Sequence, residues 1–322
     1  MTALVFQPDC LVSVVIPMRN AEDFIERALR SILMEKTVPL EVVVVDDGST
    51  DRSREAIEAV GDSRVRVVDG PKKGIAACLN VAIANVRGSV VMRCDADDEF
   101  PQGRIARQFE WLQRHPEVDA VGGAFSTIDV NGVVLACVAH RHGPAAEAID
   151  GELRRGVIRT SLCTFAIRRK VFERIGGFRE SFETAEDIDF QLRLGEACSV
   201  SYVPHDEYLY RLHEASVTHS RSDRRRMFFD EMAIRLQRDR LTTGSDALMR
   251  GEILAPPADD GSFPNVRSHV HGMLVGQSWR DVRDGQIRIG LRRALQAISV
   301  RPTHIPSWTN FAKILFRAVF QK

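Results

Sequence analysis

Nothing in this chain of 322 residues is spaced for covalent or metal cross-linking. Its six cysteines (Cys10, Cys78, Cys94, Cys137, Cys163, Cys198) are scattered. No two are spaced as Cys-x-x-Cys, so a zinc site is not expected. A chain of this length needs no staples, and the thiols read as reduced and buried. Net charge is also missing. The 44 basic and 44 acidic side chains cancel, which argues against broad nucleic-acid binding while leaving local patches open. No uninterrupted apolar stretch approaches the roughly 20 residues a membrane span needs. The first eleven residues contain Asp9 and lack a basic segment leading into an apolar core. No signal peptide is therefore expected, and the reading places the protein in the cytoplasm, touching at most a membrane surface. Two phosphate cradles are absent as well. No GxGxxG follows the first strand-like run and no GxxxxGK[S/T] occurs, so dinucleotide and P-loop readings lack their glycines.

What is present is the composition of a globular protein, 44% hydrophobic and 27% charged, with a length that predicts about two domains, or one large domain with an appendage. Val12 to Ile16, Leu40 to Val45, Val65 to Val68 and Val90 to Met92 are apolar, β-prone runs. Between them, Ile25, Ala28, Leu29, Ile32 and Leu33 form one helical stripe. A second helix starts near Ser53, and Gly74 to Val86 is a small-residue helix. Strand and helix alternate, which predicts an α/β fold with a mostly parallel sheet flanked by helices. Asn20 and Asp23 read as a capping box for the first helix. Farther on, a helix is expected through Ile105, Phe109 and Leu112. A strand over Val118 to Val121 ends at Gly122-Gly123, and a hairpin turns at Asn131-Gly132. Ala145 to Arg155 reads as a helix, Thr164 to Ile167 as a strand and Arg168 to Ile175 as a helix. Another helix is expected over Glu186 to Leu194, and a strand over Val200 to Val203. From Met227 the texture turns helical and charged. A loop at Ala255 to Pro264 interrupts it, a basic amphipathic stretch follows at Arg283 to Ile298, and an apolar helix over Ala312 to Phe320 reads as packed on the main domain.

The chemistry gathers where strands end. Asp95, Asp97 and Asp98 close the fourth strand, at the sheet edge where α/β proteins place ligands. Alternation along an extended strand puts Asp95 and Asp97 on one side and Asp98 on the other. Crowded carboxylates call for a positive partner, and Mg²⁺ or Mn²⁺ with phosphate and water oxygens suits them. Asp46 and Asp47 end the second strand, beside Pro17, Arg19, Asn20 and Glu22 after the first. Carboxylates there can accept hydrogen bonds from a nucleobase or ribose. Thr184 reads as the N-cap of the Glu186 helix with Asp187 at N3, and Asp187 is a candidate general base. His213 falls in a polar loop after a strand.

Five segments in this order carry a resemblance: VSVVIPMRNAEDFIERALRSIL from Val12, EVVVVDDGSTDRS from Glu41, MRCDADDEFPQGRIARQ from Met92, GGFRESFETAEDIDFQLRL from Gly176 and YRLHEASVT from Tyr210. Over roughly residues 12 to 220 the chain resembles family 2 glycosyltransferases of the GT-A fold. The resemblance implies transfer of a sugar from a nucleotide donor, usually a UDP-sugar, with inversion at the anomeric carbon. It implies that Pro17, Asn20, Glu22, Asp46 and Asp47 line the nucleoside pocket, with Gly74 and Arg93 beside the donor. Asp95 and Asp97 match the DxD motif, Asp97 as direct ligand of Mn²⁺ or Mg²⁺ and Asp95 at the metal and nucleotide. Asp187, with Glu186, matches the catalytic base, and His213 a position that in some relatives helps hold the metal or diphosphate. The Gln-x-x-Arg-Trp motif and membrane spans of processive synthases are missing, so the resemblance implies a single-addition enzyme. Its acceptor would be a glycan or lipid-linked intermediate at the inner membrane face, in cell-surface polysaccharide or glycoconjugate synthesis. The domain division expected is a GT-A domain over residues 1–226 and a mainly helical extension over 227–322. Two other readings compete. A sugar nucleotidyltransferase calls for a glycine-rich basic loop after the first strand, which Pro17-Met18-Arg19-Asn20 does not supply. A degenerate nucleotide- or glycan-binding module is opposed by the intact acids.

Overall fold

The apolar runs become the centre of a sheet because both of their faces are covered. In β1 (Val12–Met18) every residue is buried. Its Val12, Val14 and Ile16 join one core cluster with Ile25, Leu29 and Ile32, while Val15 joins the opposite cluster with Val43, Val45 and Leu79. Alternate residues thus feed two layers, the behaviour of a parallel strand between helices. The computed structural model describes residues 11–138, 146–213, 223–258, 266–283 and 285–320. Within it β2 (Leu40–Asp46), β3 (Val65–Asp69) and β4 (Val90–Arg93) run parallel to β1 in the order β3-β2-β1-β4. The connections are α1 (Ile25–Leu33), α2 (Ser53–Val60) and α3 (Ile75–Asn85). All five residues of the expected α1 stripe are buried.

Beyond β4 the sheet changes sense. Following α4 (Arg104–Arg114) come β5 (Ala120–Ile128), β6 (Val134–Val138), β7 (Glu147–Ala148), α5 (Asp150–Arg154), β8 (Ala166–Arg168), α6 (Lys170–Ile175), α7 (Glu186–Ala197) and β9 (Val200–Arg211). β8 is antiparallel to both β4 and β5, and β7 to β9. The sheet order finishes β4-β8-β5-β9-β7, with β6 on β5. The α/β architecture is as expected, but several elements differ from their sequence reading. β5 continues through Gly122-Gly123 because a Cβ at Gly122 would stand 2.7 Å from the Phe165 ring, and one at Gly123 2.3 Å from Glu207 Cγ. The glycines permit close packing within the strand rather than ending it. The helix expected over Ala145 to Arg155 is shorter, with β7 taking its start, and Ala145 lies outside the described residues. β9 extends eight residues past the expected Val203, to Arg211.

The described residues group into two compact units. The first takes those of 1–126, 139–211 and 226–257; the second takes those of 127–138, 212–225 and 258–322. The division expected after residue 226 does not match this. In α8 (Asp223–Thr243), Phe229, Ala233 and Leu236 are buried with Phe182, Ala185 and Leu192. Gln237 Nε2 donates to Leu153 O at 2.8 Å, and Arg240 pairs with Glu196 and Asp246. An amphipathic stripe has the same spacing whichever body it docks on, so the sequence did not reveal that 226–257 belong to the first unit. The second unit holds the Asn131-Gly132 turn, closed by Asp129 N to Val133 O at 2.9 Å, and α9 (Val266–Arg283), α10 (Ile287–Val300) and α11 (Ile305–Phe320). Val282, Ala294 and Ile314 form the core of that helical group. Among the described residues no helix is long and apolar enough to cross a membrane.

Candidate functional site

Parallel pairing brings the ends of β1 and β2 together, with Pro17 opposite Val45 and Met18 opposite Asp46. The loops that follow are tied to each other. Asn20 stands at a positive φ of 51°; its Oδ1 accepts from Thr50 N at 2.8 Å and its N–H donates to Ser49 Oγ at 2.9 Å. Glu22 Oε2 accepts from Arg52 N at 2.9 Å. Asn20 is therefore not a helix cap: α1 starts after Phe24 with no side-chain cap, and Asn20 joins the two loops instead. The adjacent acids differ in duty. Asp46 accepts from Ser49 N at 2.8 Å and from the Arg54 guanidinium. Burial opposes its ionisation, but these bonds outweigh it and hold the carboxyl below its ordinary value. Asp47 Oδ2 accepts from Gly74 N at 2.9 Å, while Oδ1 is buried without a hydrogen-bond partner. An unmet buried acceptor costs about 1–3 kcal/mol, so a ligand N–H or hydroxyl there would recover it. Gly74 has φ 92° and opens α3, a conformation that favours glycine.

At the end of β4 the strand stops at Arg93, and residues 95–98 turn, with Asp98 N donating to Asp95 O at 3.1 Å. The alternation expected from an extended strand is lost, and the acids take separate surroundings. Asp98 is fully buried. Tyr208 Oη donates to it at 2.7 Å and Arg211 N at 2.6 Å, while burial and the neighbouring Asp97 and Asp95 push its carboxyl well above the ordinary range. The Tyr208 hydroxyl also accepts from Asp95 N at 2.9 Å, and Arg211 Nε donates to Asp97 O at 2.7 Å. Asp95 takes a two-pronged bond from Arg93, at 2.7 Å and 3.1 Å, and faces the Cys163 thiol at 3.7 Å.

Arg93 also reaches α7. Its Nη1 donates to Glu186 Oε1 at 3.1 Å. One buried guanidinium thus joins the DxD-like turn to the Glu186-Asp187 pair, 93 residues away in sequence. Burial raises Glu186 to about 7, with Arg93 opposing and Asp187 adding to the rise. Asp187 is raised mainly by burial, again against Arg93. A carboxyl tuned upward in this way suits general-base work near neutral pH. The helix is capped by Ala185 at φ 61° with no side-chain bond, so the expected Thr184 cap does not form. What fixes α7 instead is Asp189, bonded to Arg193 at 2.9 Å and paired with Arg179 at 3.5 Å.

Of the residues chosen from sequence, Arg93, Asp95, Glu186 and Asp187 come together, and Asp47 meets Gly74. Pro17, Asn20, Glu22 and Asp46 build the adjoining edge. His213 belongs to the second unit, two residues past Arg211, and its role rests on the motif alone; residues 214–218 of that motif lie outside the described residues. Cys163, Tyr208 and Arg211 carry no site role in the sequence reading, because only long-range packing brings them to the turn. Among the described residues, no group of three or more His, Cys, Asp or Glu could hold a metal ion by itself. Both oxygens of Asp95 are engaged by Arg93.

The family model described as glycosyl transferase family 2 matches residues 13–176. The chain belongs to glycosyl transferase family 2. A second model, glycosyltransferase like family 2, matches residues 148–237, taking in α7 and part of α8. Among relatives of this family 2 chain, the uncharacterized protein MT1568 of Mycobacterium tuberculosis is 32% identical over 232 residues, 66% of this chain and 70% of that protein. The uncharacterized glycosyltransferase EpsJ of Bacillus subtilis is 29% identical over 217 residues, 65% of this chain and 63% of that one. The chondroitin synthase of Pasteurella multocida is 29% identical over 189 residues, 58% of this chain but 19% of the synthase. The match therefore spans less than two-thirds of EpsJ and a fifth of the synthase. The crystal structure of S. aureus TarS 1–349 in complex with UDP-GlcNAc aligns with a TM-score of 0.54 at 17% identity, over 97% of this chain and 92% of that one. At that identity the likeness is one of fold.

Proposed function

We propose that the protein is an inverting glycosyltransferase that moves a sugar from a UDP-sugar to a hydroxyl of a glycan or lipid-linked acceptor. The observation that carries this reading is the Arg93 bridge, which holds Asp95 at 2.7 Å and Glu186 at 3.1 Å. It ties the acids suited to the donor diphosphate to the pair suited to proton abstraction. In this scheme the unpartnered Asp47 Oδ1 accepts a hydrogen bond from the nucleoside, and Gly74 lets the backbone approach it. Asp97, with Asp95, would hold Mn²⁺ or Mg²⁺ together with the diphosphate; the ion supplies charge neutralisation for the leaving group. Asp187, partly exposed at the mouth of α7, takes the proton of the acceptor hydroxyl as its oxygen bonds to the anomeric carbon. The bond from that carbon to the diphosphate oxygen breaks on the opposite face, which inverts the centre. Glu186 and Arg93 orient the turn and the helix end, and this positioning lowers the entropic part of the barrier. The complex of the similarly folded TarS with UDP-GlcNAc and the family membership support a UDP-sugar donor.

The test is thermal stability with UDP, GDP, CMP and ADP, each with and without Mn²⁺. A ligand that binds the native state raises the melting temperature by mass action. The expected result is a shift with UDP that requires Mn²⁺, followed by turnover of a UDP-sugar. A shift with GDP alone would overturn the donor base. No shift with any nucleotide would overturn the enzymatic reading in favour of a degenerate module.

A further inference from the structure

Among the described residues, the last helix of the second unit packs one face and leaves an apolar stripe exposed on another. Ser307, Asn310 and Ile314 of α11 are buried, with Phe311 packed beside them. On the opposite side Ile305 is 74%, Trp308 52% and Leu315 43% exposed, and Ala312 between them is exposed too. Their spacing of three and four residues makes this one continuous stripe. Trp308 is fixed by its indole N–H, which donates to Pro302 O at 2.8 Å. Lys313 and Arg317 are exposed along one flank of the stripe. The outer face of α10 repeats the pattern, with Arg288 and Arg292 beside Ile289 and Leu295, all exposed.

Charge says what covers this surface. From Gly285 to Lys322 the chain has seven basic residues and no acidic one, although basic and acidic residues are equal in number over the whole protein. Pairing of this face with itself in a symmetric dimer would bring cations against cations. A nucleic acid would answer the charge but leave the Ile305, Trp308 and Leu315 side chains in water. An anionic bilayer answers both, taking the apolar stripe at the headgroup boundary and the cations at the phosphates. We infer that the α10–α11 surface docks the protein on anionic membrane.

The inference is independent of the donor reading, and its test keeps them apart. Flotation of the full chain with vesicles of phosphatidylcholine alone and of phosphatidylcholine with 30% phosphatidylglycerol measures the partition. Binding is expected to the anionic vesicles and to weaken with salt. Lys313→Gln with Arg317→Gln should lower the partition about thirtyfold, the effect of two cations each worth about 1 kcal/mol near an anionic surface. Trp308→Ser should lower it as well, and both variants should keep the melting temperature and nucleotide response of the parent. Equal binding to both vesicle types, or no binding to either, overturns the inference. So does a dimer in solution that Trp308→Ser abolishes, or retention of a DNA duplex that matches that of anionic vesicles.

Discussion

Replacing Glu186 by glutamine isolates the effect of one buried proton on stability. The carboxyl is 6% exposed and touches Arg93 at 3.1 Å, yet its burial beside Asp187 raises it from an ordinary 4.5 to about 7. That displacement corresponds to about 3 kcal/mol of preference for the protonated form in the folded state. The folded chain therefore holds more protons than the unfolded chain between pH 4.5 and 7. Stability from this group is fully present below the unfolded value and is lost as pH rises through about 7, with a slope approaching 1.4 kcal/mol per pH unit. Glutamine keeps the size and can still accept from Arg93, but it cannot ionise. Relief of Asp187 from a neighbouring charge acts in the same direction. Urea unfolding at pH 5, 6, 7 and 8 should then show the parent losing about 3 kcal/mol relative to the variant across the range. Trp111 is the reporter for the unit that contains Glu186, in a background where Trp279 and Trp308 are phenylalanine. A parent-minus-variant difference that stays flat from pH 5 to 8 would refute the argument and mean that Glu186 is ionised at little cost.

Other outcomes follow from the same geometry. Asp187→Asn should keep the UDP-dependent rise in melting temperature and lose about 10²- to 10⁴-fold in transfer rate, measured as product formed per donor consumed. Asp98→Ala should leave the Tyr208 hydroxyl and the Arg211 N–H without their acceptor, at a cost of about 1–3 kcal/mol for each. Calorimetry giving the parental melting temperature would contradict the buried role of Asp98. Gly123→Ala would force a Cβ to 2.3 Å from Glu207 Cγ and 2.8 Å from His205 O, so a loss of about 1–3 kcal/mol is expected from overpacking, read by urea denaturation.

Much of the candidate site's edge was legible in the chain because its signals are local. Continuous apolar runs ending in acids at Asp46 and Asp95 require only that a buried parallel strand meet solvent at its carboxyl end. The α1 stripe is a matter of helical period. Order and spacing of five short segments were enough to point to the family, which the match over residues 13–176 established. The structure departs from the sequence pattern where a local pattern has more than one physical use. Gly122-Gly123 served packing against Phe165 and Glu207 rather than ending the strand, and Asn20 and Thr184 had the right chemistry for caps they do not make. The three acids after β4 could not be told apart by alternation, because the strand ended at Arg93 and a turn replaced it.

What the sequence determined by itself was therefore the four parallel strands β1 to β4, their acidic ends and the family, since period and hydrophobicity act within a few residues of the chain. The tertiary structure decided which carboxylates are spent and which are available. It gave Asp98 to Tyr208 and Arg211, gave Asp46 to Ser49 and Arg54, and left one oxygen of Asp47 unmet. It also set Arg93 between Asp95 and Glu186 and placed α8 with the first unit. These are choices of partner across tens of residues, made by burial and hydrogen-bond satisfaction in a crowded interior, and no local spacing encodes them.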